Sequence, residues 1–420
     1  MMATKMLTSS HVIKHIINHS LSDCDLFDIK PGTKIDYIFV NDQKIPRFTN
    51  EFWTSKQRQA NSIHEISYRA CFKAQLPHFF IDLLTKCDDI VYDPFNGRGT
   101  TIIEAALMGR NVITNDINPL SIILSKPRLS IPNISMLQER LNSIEINHDL
   151  NSDIDLSMFY HSKTLAEILT LKHYLINKNN KNAEDDIDMW IRMVATNRLT
   201  GHSKGFFSVY TLPPNQAISQ EKQLKINIER KQIPEYKNTK EIILKKSNDL
   251  LKDITNEDTL QLKKICKKAV FLNKDSRHTC EIPSGSIQLT VTSPPFLDIV
   301  QYADDNWLRC WFNNIDINSI SSKITMSKKL DDWKNVMSDV FKELYRITKD
   351  NGWVAFEVGE IRKGTIKLDE HVAEIALNNG FSCEGIIINE QIFTKTANIW
   401  GVDNNTKGTN TNRIVLLRKS

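Results

Sequence analysis

Apolar residues recur along the chain with two periods, and their order predicts strands that alternate with helices. Short apolar runs typical of buried strands lie at 90–92, 111–116, 269–272, 286–292, 353–358, 381–392 and 413–417. Helical spacing separates several of these runs, over 101–108, 331–347 and 368–377. This alternation is typical of a sheet covered by helices on both faces. We therefore predict an α/β fold: a doubly wound, Rossmann-like sheet of seven strands.

The alternation stops between the second and third predicted strands. Helical spacing occupies 135–143, 163–177 and 183–199, and the Lys- and Glu-rich stretch 221–268 predicts one or two further solvated helices. We predict a mainly helical insertion at 121–268. It interrupts one α/β domain built from 61–120 and 269–420, and an N-terminal extension at 1–60 precedes that domain.

Composition limits the class of protein. The 420 residues are 40% hydrophobic and 25% charged with a net charge of +4, which is ordinary for a globular protein and permits a nucleic-acid partner. Seven scattered cysteines without a C-x-x-C pair argue against a zinc site or a disulfide framework, so we expect reduced thiols and no metal. No apolar run approaches the ~18 residues of a membrane helix. We expect a cytoplasmic protein that does not bind a membrane.

The first candidate site is the run 93–101, DPFNGRGTT, between a predicted strand and a predicted helix. Glycines at such a junction let a ligand approach the backbone, and the helix offers free N–H groups. Asp116 and Asp275 end the next two predicted strands, where carboxylates suit a ribose and an adenine amino group. Each is also a plausible helix cap or turn residue. Three acidic strand ends around a glycine turn favour a nucleoside site.

The second candidate site is Thr292-Ser293-Pro294-Pro295-Phe296, after the strand predicted at 286–292. The nitrogen of an exocyclic base amine is a poor nucleophile because its lone pair is delocalised. The Ser293 hydroxyl and the Pro294 carbonyl could accept its two N–H groups, while the prolines keep the loop rigid. Phe296 offers a face on which an extruded base can stack. The alternative interpretation is a rigid loop leaving a strand.

These two runs resemble the motifs of the amino-group DNA methyltransferases, which methylate cytosine N4 or adenine N6. The run 93–101 is similar to the cofactor motif of that family and 293–296 to its catalytic motif, and 68–77 is similar to the segment beside the methionine end of the cofactor. The resemblance implies S-adenosyl-L-methionine as the cofactor and double-stranded DNA as the substrate. It also suggests a cognate restriction endonuclease as a partner. Ser-Pro-Pro favours cytosine N4 over adenine N6.

The resemblance and the strand-end positions together define the candidate site residues. The catalytic candidates are Ser293, Pro294, Pro295 and Phe296. The cofactor-binding candidates are Phe72, Lys73, Asp93, Pro94, Phe95, Gly97, Gly99, Thr100, Asp116, Ile117, Asp275 and Ser276.

Target recognition is expected mainly from the insertion. Its densest mixture of base-reading side chains includes Arg198, His202, Ser203 and Lys204, which can reach base edges or phosphates. Gln301 and Tyr302, after the catalytic loop, are further substrate-binding candidates. Core packing is the competing interpretation for this part of the insertion. The order of the motifs resembles the family class whose target-recognition region lies between the cofactor and catalytic motifs. Here, however, the insertion comes before the strand ending near Asp275 rather than after it, which weakens the assignment of the whole insertion to target recognition.

Three other functions compete with this one. Guanine-N2 methyltransferases of RNA use similar Pro-Pro-aromatic loops, so RNA is an alternative substrate. A DNA-recognition subunit that binds the cofactor without catalysis is a second alternative, which the intact Ser-Pro-Pro-Phe and Gly-x-Gly elements disfavour. A nicotinamide oxidoreductase is disfavoured because 93–99 is not a G-x-G-x-x-G pattern.

Overall fold

The structure is a computed structural model of the chain. It describes residues 8–19, 32–53, 60–69, 71–212, 217–295, 302–323, 329–361, 366–390 and 411–420. Within these ranges, no helix is long and apolar enough to cross a membrane.

Eleven strands are assigned in the described residues. They are β1 (Lys34–Val40), β2 (Gln43–Asn50), β3 (Ile90–Asp93), β4 (Asn111–Asn115), β5 (Val270–Leu272), β6 (Ile287–Thr292), β7 (Thr348–Val358), β8 (Glu360–Ile361), β9 (Ile366–Lys367), β10 (Phe381–Glu390) and β11 (Thr411–Lys419). Nine of them form one sheet in the order β1-β2-β10-β11-β7-β6-β3-β4-β5, and β8 pairs with β9 separately.

The seven strands expected from the apolar pattern are all present in the large sheet. Strands β7, β6, β3, β4 and β5 pair in parallel, whereas β11 runs antiparallel to both of its neighbours, β7 and β10. The β1–β2 hairpin extends the sheet through a parallel pairing of β2 with β10, so the sheet has two strands more than predicted.

Fourteen α-helices are assigned in the described residues. They are α1 (Ser9–Ile17), α2 (Gln75–Leu84), α3 (Thr100–Leu107), α4 (Leu120–Ser125), α5 (Ile134–Ser143), α6 (Ser162–Asn180), α7 (Asp186–Arg198), α8 (Gln220–Arg230), α9 (Thr239–Leu251), α10 (Asn256–Cys266), α11 (Tyr302–Phe312), α12 (Ile317–Lys323), α13 (Leu330–Ile347) and α14 (Leu368–Asn378).

Helices cover both faces of the sheet, which confirms the predicted doubly wound α/β class. One face packs against α1, α2, α3 and α10, and the other packs against α13 and α14. Five of the six residues of strand β6 are buried, as expected for a strand with both faces covered by helices. This burial fixes the carboxyl ends of the parallel strands relative to one another.

The stretch between β4 and β5 is helical, and most of its buried apolar side chains form a cluster that residues of α11 and of the segment around Tyr68 also join. Helices α4 to α10 lie there, and side chains of α5, α6, α7 and α9 form a separate buried cluster around Trp190. Reciprocal capping boxes begin two of the helices, Asp185 with Asp188 and Thr255 with Asp258. The Lys- and Glu-rich part holds three helices, α8, α9 and α10. Our expectation of one or two was therefore wrong, because the breaks at 231–238 and 252–255 each end a helix.

Candidate cofactor and catalytic cleft

One cleft lies at the carboxyl ends of the parallel strands, where the strand order changes direction between β3 and β6. Ligand crevices of doubly wound sheets form at this point of the topology. The cleft is lined by Tyr68, Cys71, Phe72, Asp93, Phe95, Asn96, Gly97, Arg98, Thr100, Asp116, Ile117, Asn118, Asp275, Ser276, Arg277, Ser293, Pro295, Trp333, Val336, Met337 and Val340. The two runs singled out in the sequence therefore border the same space.

The glycine turn joins β3 to α3 and requires glycine at two positions. Gly97 and Gly99 have φ of +51° and +83°, a left-handed conformation that side chains with a Cβ rarely adopt. A Cβ on Gly99 would also lie 2.6 Å from the Cβ of Ser125. The backbone N–H of Gly97 donates to Asp116 Oδ2 at 2.7 Å, so the end of β4 holds the turn in place.

Asp93 is the first residue of the run 93–101, and it joins this run to the run that begins at Thr292. Its carboxylate accepts the Thr292 hydroxyl at 2.6 Å and the Phe95 backbone N–H at 3.1 Å. The residue is 2% exposed. Burial raises the pKa of Asp93 to about 7, and the hydrogen bonds from Thr292 and Phe95 oppose that shift. A cation entering the cleft would favour the ionised form of this carboxylate.

Asp116 is half-buried at the end of β4. Its two carboxylate oxygens accept backbone N–H groups from Gly97 at 2.7 Å and from Asn118 at 2.9 Å. Burial raises its pKa to about 6, although both hydrogen bonds lower it. A carboxylate has about four acceptor positions, so hydroxyl groups of a ligand could still bind there.

Asp275 and Ser276 line the cleft beyond β5, but both have partners within the protein. The Arg277 guanidinium donates to both Asp275 oxygens, at 2.6 to 3.1 Å, and holds the pKa of that carboxyl below its ordinary value. The Ser276 hydroxyl donates to the Pro94 carbonyl at 2.7 Å and accepts from Asn115. Ser276 therefore fastens the two sides of the cleft together.

The catalytic candidates begin where β6 ends. The Thr101 hydroxyl donates to the Val291 carbonyl at 3.0 Å, which ties α3 to this strand. Ser293 and Pro295 line the cleft, and Pro294 is buried behind them. The Trp333 indole N–H donates to the Pro295 carbonyl at 3.2 Å. Phe296 lies outside the described residues.

A buried carboxylate at the end of β7, Glu357, contacts the candidate catalytic hydroxyl. Ser293 hydrogen-bonds to it, and the Asn412 amide donates to Glu357 Oε1 at 3.1 Å. Burial raises the pKa of Glu357 above its ordinary value, opposed by these two hydrogen bonds. The sequence analysis did not single out Glu357. Its position at the carboxyl end of a predicted strand was the signal that could have found it.

Other parts of the cleft wall were also missed. Trp333, Val336, Met337 and Val340 face the cleft from one side of α13, where the sequence predicted a helix but no part of the site. Tyr68 begins the run 68–77, which the resemblance placed beside the cofactor, although Tyr68 itself was not a candidate; its ring lies beside Gly97, with Cε1 3.6 Å from the position that a Cβ would occupy. Among the cofactor candidates, Lys73, Pro94 and Gly99 do not line the cleft.

The four target-recognition candidates whose side chains are described, Arg198, His202, Ser203 and Lys204, do not line the cleft. Arg198 is 8% exposed, stacks 4.0 Å from the ring centroid of Phe206 and donates to the Asn197 side chain at 2.6 Å. Burial lowers its pKa to about 10. The expectation that Arg198 forks onto a base does not fit this interior position. Ser203 and Lys204 are exposed and His202 is half-buried, whereas Gln301 and the Tyr302 side chain lie outside the described residues.

A family model and curated relatives are similar to parts of this chain. A family model described as a DNA methylase, of the N6/N4 amino-methyltransferase type, matches residues 18–125. The Type II methyltransferase M.MjaII of Methanocaldococcus jannaschii is 26% identical over 140 residues, 32% of this chain and 26% of that protein. The Type II methyltransferase M.PvuII of Proteus hauseri is 37% identical over 87 residues, 21% of this chain and 25% of that protein. Each of these two alignments thus spans about a quarter of the relative's length.

The crystal structure of TrmN from Thermus thermophilus aligns with 86% of this chain and 52% of its own, at 11% identity and a TM-score of 0.31. A score this low carries no argument. The family match, in contrast, includes the glycine turn and the segment around Tyr68 that borders it. The resemblance inferred from the motifs is confirmed over these parts of the chain, which are similar to the amino-group (N6/N4) DNA methyltransferases.

Proposed function

We propose that the protein transfers a methyl group from S-adenosyl-L-methionine to an exocyclic amino group of a DNA base. The observation that supports this most directly is the hydrogen bond between Thr292 and Asp93 in one cleft. It joins the candidate catalytic segment 292–296, called the catalytic run below, to the glycine turn. A methyl donor and its acceptor must meet within about 3–3.5 Å for such a transfer.

The residues of the cleft fit this methyl donor. Three carboxylates of the cleft, Asp93, Asp116 and Asp275, suit a ligand that carries an ammonium, ribose hydroxyls and an adenine amine. The Asn96 side-chain oxygen is buried and has no hydrogen-bond partner among the described residues, which leaves one acceptor for a bound group. When bound, the cofactor supplies an electrophilic methyl group on a sulfonium. Phe72, Phe95, Thr100 and Ile117 would pack around it, and the α13 wall would exclude water.

Ser293 is the proposed acceptor for the amine. Because the carboxylate of Glu357 can only accept, the Ser293 hydroxyl donates to it, and the serine oxygen keeps its lone pairs for an N–H of the base. The Pro294 carbonyl is the second proposed acceptor, since the Pro295 carbonyl already accepts from Trp333. Two fixed acceptors draw the nitrogen toward tetrahedral geometry, which frees its lone pair for attack.

The proton that the methylated nitrogen loses would pass to Ser293 and on to Glu357, whose buried carboxylate gains stability when protonated. The target base must leave the duplex to reach this loop, and Phe296 is the proposed stacking partner for it. Cytosine N4 is the preferred acceptor, on the family association of Ser-Pro-Pro, with adenine N6 as the alternative.

Double-stranded DNA is the proposed partner, and the helical stretch 121–268 is the proposed target-recognition region. The exposed Ser203 and Lys204, with His202 beside them, remain our candidates for base or phosphate contacts. A cognate restriction endonuclease is a further proposed partner. Both relatives named above are Type II methyltransferases.

The test is methyl transfer from labelled cofactor to duplex DNA and to transfer RNA, followed by sequencing of modified bases in the labelled product. We expect label in duplex DNA at cytosine N4 within one sequence context. Label in transfer RNA alone would favour the RNA alternative. Cofactor binding without transfer to either acceptor would favour a silent recognition subunit.

A further inference from the structure

The segment 67–69 contacts the glycine turn through Tyr68. The Tyr68 ring lines the cleft, is 8% exposed and lies beside Gly97. Asn197, near the end of α7, makes two hydrogen bonds to the backbone of Ser67. The Asn197 side chain accepts the Ser67 N–H at 3.2 Å and donates to the Ser67 carbonyl at 2.7 Å. The segment is therefore fixed where it borders the proposed cofactor.

The same segment also makes hydrogen bonds and an ion pair with α11. Arg69 Nη1 donates to both carboxylate oxygens of Asp305, at 2.9 and 2.8 Å. Arg309, one turn further along α11, donates to the Ser67 carbonyl at 3.0 Å. The Asp305 side chain is only 6% exposed, so loss of Arg69 would remove the main cation that offsets the burial of this carboxylate, leaving only the weaker charge interaction with Arg309.

Helix α11 is the first described element after the catalytic run. It starts at Tyr302, and Asp305 lies in its first turn. The backbone carbonyl of Asp305 accepts the Ala217 N–H at 2.9 Å, so this one residue connects α11 to the segment 67–69 and to the insertion. On the upstream side, the catalytic run is held by Thr292 and Pro295.

We propose that the Arg69–Asp305 ion pair is a positioning pair for the proposed methyl transfer: it fixes the start of α11, the first described element after the catalytic candidates, relative to the glycine turn. This inference rests on the proposed function. Neither residue is proposed to touch the methyl group or the amine. A displacement of about 1 Å in the catalytic candidates can cost about a hundredfold in rate, because the reacting atoms must be aligned.

The test compares Arg69→Met with a matched control, Arg47→Met. Both changes remove an arginine from an Arg–Asp pair and keep an unbranched side chain, but Arg47 pairs with Asp36 in the β1–β2 hairpin, away from the cleft. Arg69→Met should lower kcat about tenfold or more, with the cofactor Kd within about twofold of the parent. Hydrogen–deuterium exchange of peptides spanning 290–312 should rise. Arg47→Met should change none of these quantities.

The reversed pair, Arg69→Asp with Asp305→Arg, should recover part of kcat and of the exchange protection relative to either single change. Unchanged kcat and exchange in Arg69→Met would overturn the inference, as would a loss confined to cofactor affinity. If the parent protein methylates neither DNA nor RNA, the proposed function fails by that result. The exchange comparison of Arg69→Met with Arg47→Met then decides the positioning role by itself.

Discussion

The Thr292 hydroxyl donates a 2.6 Å hydrogen bond to the Asp93 carboxylate, and the two residues are 199 positions apart in the chain. Thr292 is the last residue of β6 and Asp93 the last of β3, and these strands pair in parallel. The bond therefore links the glycine turn to the catalytic run directly. A buried hydrogen bond to a charged group contributes about 1.5–3 kcal/mol.

Replacing Thr292 with valine should weaken both halves of the site. Without the hydroxyl, the pKa of Asp93 should rise further, so fewer molecules present a charged carboxylate to a cationic ligand. We expect the cofactor Kd to increase about tenfold by calorimetry, and kcat to fall.

Thr290→Val is the matched control for Thr292→Val, because Thr290 lies on the same strand and its hydroxyl has no hydrogen-bond partner among the described residues. That change should be neutral or slightly stabilising. Equal effects of the two substitutions on cofactor affinity would contradict the role given to the Thr292 bond.

The buried Asp93 predicts a pH-dependent stability. Its folded-state pKa of about 7 lies above the ordinary value of 3.8. A raised pKa means that protonation favours the folded state, so the contribution is complete below about pH 4 and is lost as the pH rises through about 7. In the ligand-free protein, the free energy of unfolding relative to Asp93→Asn should therefore decrease between pH 5 and 8. Denaturant unfolding at several pH values measures this, and parallel curves for the two proteins would refute it.

Glu357→Gln should slow methyl transfer without weakening the cofactor. An amide in this position can donate to Ser293, so the serine hydroxyl is no longer directed by an acceptor alone. We expect kcat to fall about tenfold or more, with a cofactor Kd within about twofold of the parent. Glu374→Gln is the control, since Glu374 of α14 forms a partly exposed ion pair with Lys334 of α13. A parent-like kcat for Glu357→Gln would exclude the proposed proton path.

Gly99→Ala should destabilise the fold more than Gly285→Ala. Both glycines have positive φ, +83° and +63°, where alanine costs about 1–2 kcal/mol. A Cβ at Gly99 also meets Ser125 at 2.6 Å, whereas the space beside Gly285 is open. Overpacking adds about 1–3 kcal/mol, so Gly99→Ala should cost about 2–5 kcal/mol in urea unfolding. Equal decreases in the free energy of unfolding for the two variants would mean that Ser125 can move away from the new Cβ without destabilising the fold.

Seven of the nine strands of the large sheet were predictable because each is a local apolar run, and the strand-end acids followed from that placement. The β1–β2 hairpin carried a signal as well. Asn41 and Asp42, both at positive φ, form a two-residue turn between alternating runs, and we overlooked it. A local pattern was sufficient in both cases.

The residues that sequence reasoning missed depend on long-range packing. Glu357 matters because β7 pairs with β6, which brings its carboxylate beside Ser293. Arg198 looked like a base-reading side chain, but its helix end packs into the insertion core and places the guanidinium on Phe206. The local pattern could place Glu357 at the end of a predicted strand, but it encodes neither the Glu357–Ser293 contact nor the packing of Arg198 on Phe206.

The most direct measurement of the central claim is single-turnover methyl transfer by Ser293→Ala, with the cofactor Kd measured in parallel. Because the hydroxyl acts mainly in the transition state, we predict that the rate falls about a hundredfold or more while the Kd stays within about twofold of the parent value. A parent-like rate would contradict the account, because the amine would then need no acceptor at the end of β6.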